Sequence, residues 1–187
     1  MRTDTMSKNI APDWGTRYGI TELWSQITPG LYVGGTDDAD VVGNAVLWET
    51  RVGRPVRPSH AEAFITPEDF DAVVTLYAYA RPVGWEVEEL RWGIYDDRDS
   101  DFDPDLVALN ETVAWAHRRW KAGKRVLIRC QAGLNRSSLI AALVLVQDGM
   151  PPQDAIDKIR RGRSHKALFN KQFVKFIHAQ AALPSSE

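Results

Sequence analysis

"RVLIRCQAGLNRSSLIAALVLVQDG", residues 125 to 149, decides how this chain folds. Its first five residues are apolar in the middle and bounded by arginines, the form of a short buried strand. From Ser137 to Gly149 most positions are apolar, and they fall on every side, so the segment reads as a buried helix. Between strand and helix stands a tight turn holding Gly133 and the chain's single cysteine, Cys130. Strand, loop and helix in that order make half of a strand–helix–strand unit, the building block of an α/β sandwich.

The loop has the makings of an anion site. Successive backbone N–H groups in such a turn point inward, and the helix N-terminus adds roughly half a positive charge. Gln131, Ala132, Gly133, Leu134 and Asn135 supply those N–H groups. Arg136 offers a planar, bidentate fork suited to phosphate oxygens. The same field favours thiolate over thiol at Cys130; a free cysteine titrates near roughly 8.5, and such loops lower that value. One set of donors would then activate a nucleophile, hold an oxyanion and stabilise the charge that develops as they react. Ser137 sits where its hydroxyl can assist the thiolate as a leaving group in a second step. A lone buried cysteine is more often a small hydrophobe. The spacing C-x-x-G-x-x-R-S between a strand and a buried helix argues against that reading here.

Working outward, the remaining segments supply a sheet. Leu31 to Val33 in "ITPGLYVGG" (27 to 35) form a strand bracketed by glycines, and "DAVVTLYAYA" (71 to 80) holds a second. "EELRWGIYDD" alternates, with Leu90, Trp92 and Ile94 on one side, and predicts a third strand with one buried face. Asp103 and Pro104 are placed to open a helix as N-cap and first helical residue. Leu106, Leu109, Val113, Ala116 and Trp120 form its apolar stripe. A further helix starts at Pro151–Pro152, and "NKQFVKFIHAQAA" makes the last. The pattern predicts an α/β fold: a central, largely parallel sheet of four to five strands flanked by helices. The stretch from 36 to 70 is too long for a simple loop and is read as a helix plus an insertion near 41–68.

At 187 residues the chain is expected to form one domain over 21–181, with a flexible or loosely docked arm over 1–20 and a frayed tail over 182–187. The start has no apolar run like that of a signal peptide. A composition of 44% hydrophobic and 26% charged residues is ordinary for a globular protein, and a net charge of −2 argues against a dedicated nucleic-acid or membrane binder. No apolar run reaches the roughly 18 residues a membrane span needs. A single cysteine forms no internal disulfide and suits a reducing, cytoplasmic setting. A monomer is expected.

With these residues in view, "VLIRCQAGLNRSSLIAALVL" resembles the signature loop of the cysteine-based protein tyrosine phosphatases, in the style of their dual-specificity branch. "ITPGLYVGG" resembles that branch's opening strand. "AIDKIRRGRSHKALFNKQFVKFI" (155 to 177) resembles its closing helices, with Asn170 and Phe173 in the usual N-x-x-F places. The likeness covers roughly residues 24 to 180, apart from about 41 to 68. It implies a phosphomonoester hydrolase acting on phosphorylated protein or a small phosphomonoester through a cysteinyl-phosphate, with no metal and no cofactor. One departure stands out: the family's usual histidine before the cysteine is here Arg129, read either as extra positive charge or as a strand-end side chain turned to solvent.

The same resemblance calls for an aspartate that protonates the leaving group from the loop after the preceding strand. "YDDRDSDFDPD" offers several. Asp96 continues the alternation of Leu90, Trp92 and Ile94 and is preferred over Asp97 and Asp99, although counting back from Cys130 falls nearer Arg98 and Asp99. The basic stretch "KIRRGRSHK" (158 to 166) is read as flanking the pocket mouth or, by preference, as a solvated helix face. Two other readings stay open: a catalytically weak phosphate-binding module, and a rhodanese-like sulfurtransferase, which usually has a shorter loop without the arginine.

Overall fold

The sheet is built where short β-branched and apolar runs occur, and the computed structural model describes it within residues 8–43 and 57–180. Its strands are β1 (Trp24–Thr28), β2 (Leu31–Gly34), β3 (Ala72–Thr75), β4 (Glu88–Arg91) and β5 (Val126–Arg129). They lie in the order β1-β2-β5-β3-β4; β1 and β2 form an antiparallel hairpin, and the other three pairings are parallel. This is the α/β sheet the pattern predicts. β1 is additional to the four expected strands, and Gly30, at φ 81°, makes the tight turn between it and β2.

Four helices follow the pattern too: α1 (Leu106–Lys121), α2 (Arg136–Gln147), α3 (Pro152–Gly162) and α4 (Lys171–Gln180). The start of α1 corrects the expectation. Asp105, not Asp103, is the N-cap, its carboxylate accepting from the N–H groups of Val107 and Ala108. Both aspartates precede the apolar stripe, and Asp105 is the one that reaches two of the orphan donors in the first turn.

Successive residues of a strand point to opposite faces. Leu31, Val33, Ala72, Val74, Val126 and Ile128 therefore share one face, packed with Leu109, Ile140, Ile156 and Phe173 of the helices. Val73 and Leu127 face the other way, where Leu23, Ile65, Phe70, Val83 and Val87 cover them. Among the described residues, the second face is closed by loop segments and by Trp14 of the Asp13–Tyr18 turn rather than by α-helices.

β4 departs from the one-sided strand expected. Leu90 and Trp92 pack at the main core as foreseen. The opposite side is buried as well, with the Glu89 and Arg91 side chains 0% and 3% exposed and paired at 2.9 Å. In the 36–70 stretch the described parts contain no α-helix: a 3-10 turn at Asp38–Asp40, a bridge from Val41 to Ala80, and turns over 57–70. Its remaining residues, and the expected tail, lie outside the described ones. Residues 8–20 are docked. Trp14 packs against both cores, Ile20 is buried, and Asn9 Oδ1 accepts the Trp24 N–H at 2.8 Å. Among the described residues no helix is long and apolar enough to cross a membrane.

Candidate active site

The loop leaves β5 at its C-terminal end and enters α2, and its geometry follows from where its carbonyls go. The Cys130 carbonyl accepts from Thr36 Oγ1 at 2.9 Å, and that of Gln131 accepts from the Thr36 N–H at 2.9 Å. Arg163 Nη2 and Nε reach the Ala132 and Gly133 carbonyls at 3.2 and 3.1 Å. Leu134 and Asn135 carbonyls accept from the N–H groups of Leu168 and Leu139, both at 2.8 Å. Every carbonyl from 130 to 135 is spent outward. In a trans peptide the next N–H points the opposite way, so the N–H groups of 131 to 136 are turned into the loop.

Gly133 makes that curl possible. Its φ of 69° is left-handed, and a Cβ there would stand 2.5 Å from the Gly34 carbonyl carbon. Its N–H donates to Cys130 Sγ at 3.3 Å, and Ser137 Oγ lies 3.3 Å from the same sulfur. Burial is the largest single influence on the thiol and opposes its ionisation. The Arg136 charge and the bonds from Ser137 and Gly133 together outweigh it, so the Cys130 pKa falls below its ordinary value.

Arg136 is the unsatisfied member of the group. Its Nη1 reaches the Leu76 carbonyl only at 3.4 Å, and its enclosed Nε has no hydrogen-bond partner among the described residues. Its guanidinium carbon sits 5.7 Å from the centre of the Tyr77 ring. A buried donor without a partner is costly unless something else fills its place.

Asn135 connects the loop to the acid segment. Rather than capping α2, its Nδ2 donates to Asp96 Oδ2 at 2.9 Å, while its Oδ1 accepts the Asn170 N–H at 3.2 Å. Asn170 Nδ2 donates to Asp96 Oδ1 at 2.9 Å. The structure therefore brings Asp96 against the loop. Asp97 and Asp99 are exposed, and Asp97 accepts from the Asp99 N–H and Ser100 Oγ within its own turn. Of the five loop residues expected to bind substrate, Leu134 has its side chain in the main core and Gln131 has its side chain in solvent. They face the loop interior through their backbone alone.

Arg129 follows neither sequence reading. Strand alternation sends it to the opposite sheet face from Cys130, in one row with Gly34, Thr75 and Arg91. There it is 1% exposed, bonded to Thr75 Oγ1 at 3.0 Å, Asp40 Oδ2 at 2.5 Å and the Arg81 carbonyl at 2.5 Å. Glu89 lies 3.6 Å away. Burial, the largest influence on Asp40, raises its pKa above the usual carboxylate value, and the Arg129 charge opposes that rise.

Arg163 was not foreseen as part of the site. The basic stretch that holds it read as a solvated helix face, yet Arg163 is 6% exposed beneath the loop. Its burial pushes its pKa down to about 10, with the Cys130 charge acting the other way, so it stays cationic at neutral pH. The sequence signals for it were the alternative reading of that stretch as flanking the pocket mouth and its place within the stretch resembling the family's closing helices.

A sheet of this order, with a cysteine and arginine loop between its central strand and a buried helix, defines a class of phosphate-handling α/β proteins. The sequence pattern of the family described as "Dual specificity phosphatase, catalytic domain" matches residues 56–180, and the chain belongs to that family. Phosphatidylglycerophosphatase and protein-tyrosine phosphatase 1 of Rattus norvegicus is 33% identical over 103 residues, covering 51% of this chain and 52% of the relative. The chain thus spans about half the length of that relative. Human DUSP28 superposes with a TM-score of 0.59 at 20% identity, covering 84% of this chain and 97% of that one. The human tyrosine phosphatase-like serine/threonine/tyrosine-interacting protein does so with a TM-score of 0.60 at 17% identity, covering 85% and 95%. At those identities the two structures establish the shared fold.

Proposed function

We propose that this chain hydrolyses phosphomonoesters, on phosphorylated protein or a small molecule, through a cysteinyl-phosphate and without metal or cofactor. The observation that carries the reading is the enclosed, partnerless Nε of Arg136 beside a thiol whose pKa is lowered. A tetrahedral oxyanion in the loop supplies the missing acceptor and meets the inward N–H groups. The Cys130 thiolate attacks phosphorus, forming the S–P bond as the ester P–O bond breaks, and Asp96 gives its proton to the departing oxygen. Water, giving a proton to the Asp96 carboxylate, then attacks the phosphocysteine. The S–P bond breaks, Ser137 Oγ–H supports the leaving thiolate, and phosphate departs.

A reduced thiol is required throughout, which is the physical reason for proposing a cytoplasmic setting. The proposed working unit is a single domain, the expected 21–181 together with the docked residues 8–20, acting as a monomer. The rat relative's name joins a lipid phosphate to phosphotyrosine; the loop interior here has no lysine, so we place a protein or small phosphomonoester ahead of a lipid.

The test is hydrolysis of p-nitrophenyl phosphate in chelator-treated buffer, with vanadate as inhibitor. Cys130→Ser is expected to lose on the order of 10³-fold or more in kcat while keeping its melting temperature and phosphate binding. Most of the activity surviving in that variant would remove Cys130 from its role. Phosphate binding with almost no turnover in the unaltered protein would leave a binding module instead, and thiosulfate–cyanide turnover would leave a sulfurtransferase.

A further inference from the structure

Beside the loop lies a second cavity of about 440 Å³, within the usual range for small-ligand sites. Gln131 and Ala132 of the loop form one wall, and Trp14, Tyr18 and Tyr77 supply three aromatic side chains. Asp38 stands exposed at its edge, and among the described residues no lysine or arginine lines it. The Tyr77 ring belongs both to this recess and to the surroundings of Arg136. Tyr77 thus joins the surroundings of Arg136 to the recess, which lies within reach of the organic part of an ester whose phosphate engages Arg136.

The wall is held in place before any ligand arrives. Trp14 and Tyr18 come from the 3-10 turn at Asp13–Tyr18. The Ala11 N–H bonds to the Thr21 carbonyl at 3.0 Å on one side of that turn, and Ser164 Oγ donates to the Tyr18 carbonyl at 2.8 Å on the other. Lys166 Nζ lies 5.9 Å from the Tyr18 ring centre, but it donates to the Arg17 carbonyl at 2.8 Å and is not part of the lining. Preformed aromatic walls bind a flat ring at low entropic cost. A carboxylate at the edge attracts a cation or donor and repels a second phosphate.

We propose that this recess is a leaving-group subsite for aryl phosphomonoesters bearing a cationic or hydrogen-bond-donating group, with Trp14, Tyr18, Tyr77 and Asp38 setting the specificity. The inference rests on the phosphatase reading above and narrows its substrate class. It turns the docked arm into part of the binding site and sets polyanionic esters aside.

The test uses three para-substituted phenyl phosphates: O-phosphotyramine, 4-ethylphenyl phosphate and the phosphate of 3-(4-hydroxyphenyl)propionate. Affinities are measured by calorimetry on the Cys130→Ser protein, and kcat/KM on the intact one. The ammonium compound is expected to bind about three- to fivefold tighter than the neutral one, the size of one exposed ion pair, and the carboxylate compound to bind most weakly. Asp38→Lys reverses that order. Tyr18→Ala weakens the neutral aryl phosphate at least about threefold while leaving inorganic phosphate unaffected. Equal ratios in the parent and Asp38→Lys proteins overturn the inference. Charge-selective binding without turnover sinks the phosphatase reading alone, turnover without selectivity sinks the subsite alone, and no binding of any of the three sinks both.

Discussion

Arg129 and Arg136 flank the same loop, and their surroundings could hardly differ more. Arg129 ends β5 with its guanidinium filled by Thr75, Asp40 and the Arg81 carbonyl. Arg136 begins α2 with an enclosed Nε and, among the described residues, no partner for it. One arginine has spent its donors on the protein, and the other has kept one in reserve. The difference separates a residue that holds the fold from one arranged to meet a ligand, because a buried donor left without a partner raises the free energy of the empty state.

The comparison is broken or sharpened first by Arg129→Met. This variant leaves Asp40 buried without its bonded cation, while Glu89 keeps Arg91, so a loss of about 3–5 kcal/mol of stability is expected, read by denaturant unfolding. The loss should shrink toward acid pH. Asp40's folded pKa already stands above its unfolded value and rises further without Arg129. A group raised in that way favours the folded state at low pH and loses that contribution as pH climbs through the folded pKa. A deficit constant with pH would show that Asp40 is not the group left uncompensated.

Arg136→Lys is the mirror experiment. The fold should stand, while kcat falls on the order of 10²-fold or more, because lysine keeps the charge and loses the planar fork. Near-parent kinetics would make Arg136 as structural as Arg129.

Asp96→Asn comes next. Phenyl phosphate, with its poor leaving group, should lose about 10²-fold in rate, and an activated aryl phosphate much less. Asp97→Asn and Asp99→Asn should leave both rates near the parent's. If either of those shows the leaving-group dependence instead, the acid lies in the exposed turn.

The smallest effect is on the thiol itself. Alkylation of Cys130 by iodoacetamide should have its midpoint below the ordinary thiol value, since its pKa is lowered. Arg136→Met removes the nearby charge and should move the midpoint to higher pH; Arg129→Met, acting on the other sheet face, should not. An equal displacement in both would show that the two arginines share one field.

What the sequence determined alone were the features whose determinants are close together along the chain. The apolar run of 125–129, the buried helix after it, and the placing of Cys130, Gly133 and Arg136 between them are local, as hydrophobic period and turn chemistry are. Even the separation of Arg129 from Cys130 was implicit, since neighbours on a strand face opposite ways. The choice of Asp96, already favoured by alternation, became a contact through Asn135 and Asn170. The tertiary structure decided the partners. Asp40 meets Arg129 across 89 residues of chain, and Arg163 reaches the loop carbonyls across 30 and 31. A basic helix end looks the same in a sequence whether it meets water or a ring of peptide carbonyls. Only folding sets which polar group each buried donor finds, because that pairing depends on segments brought together by packing rather than by their order in the chain.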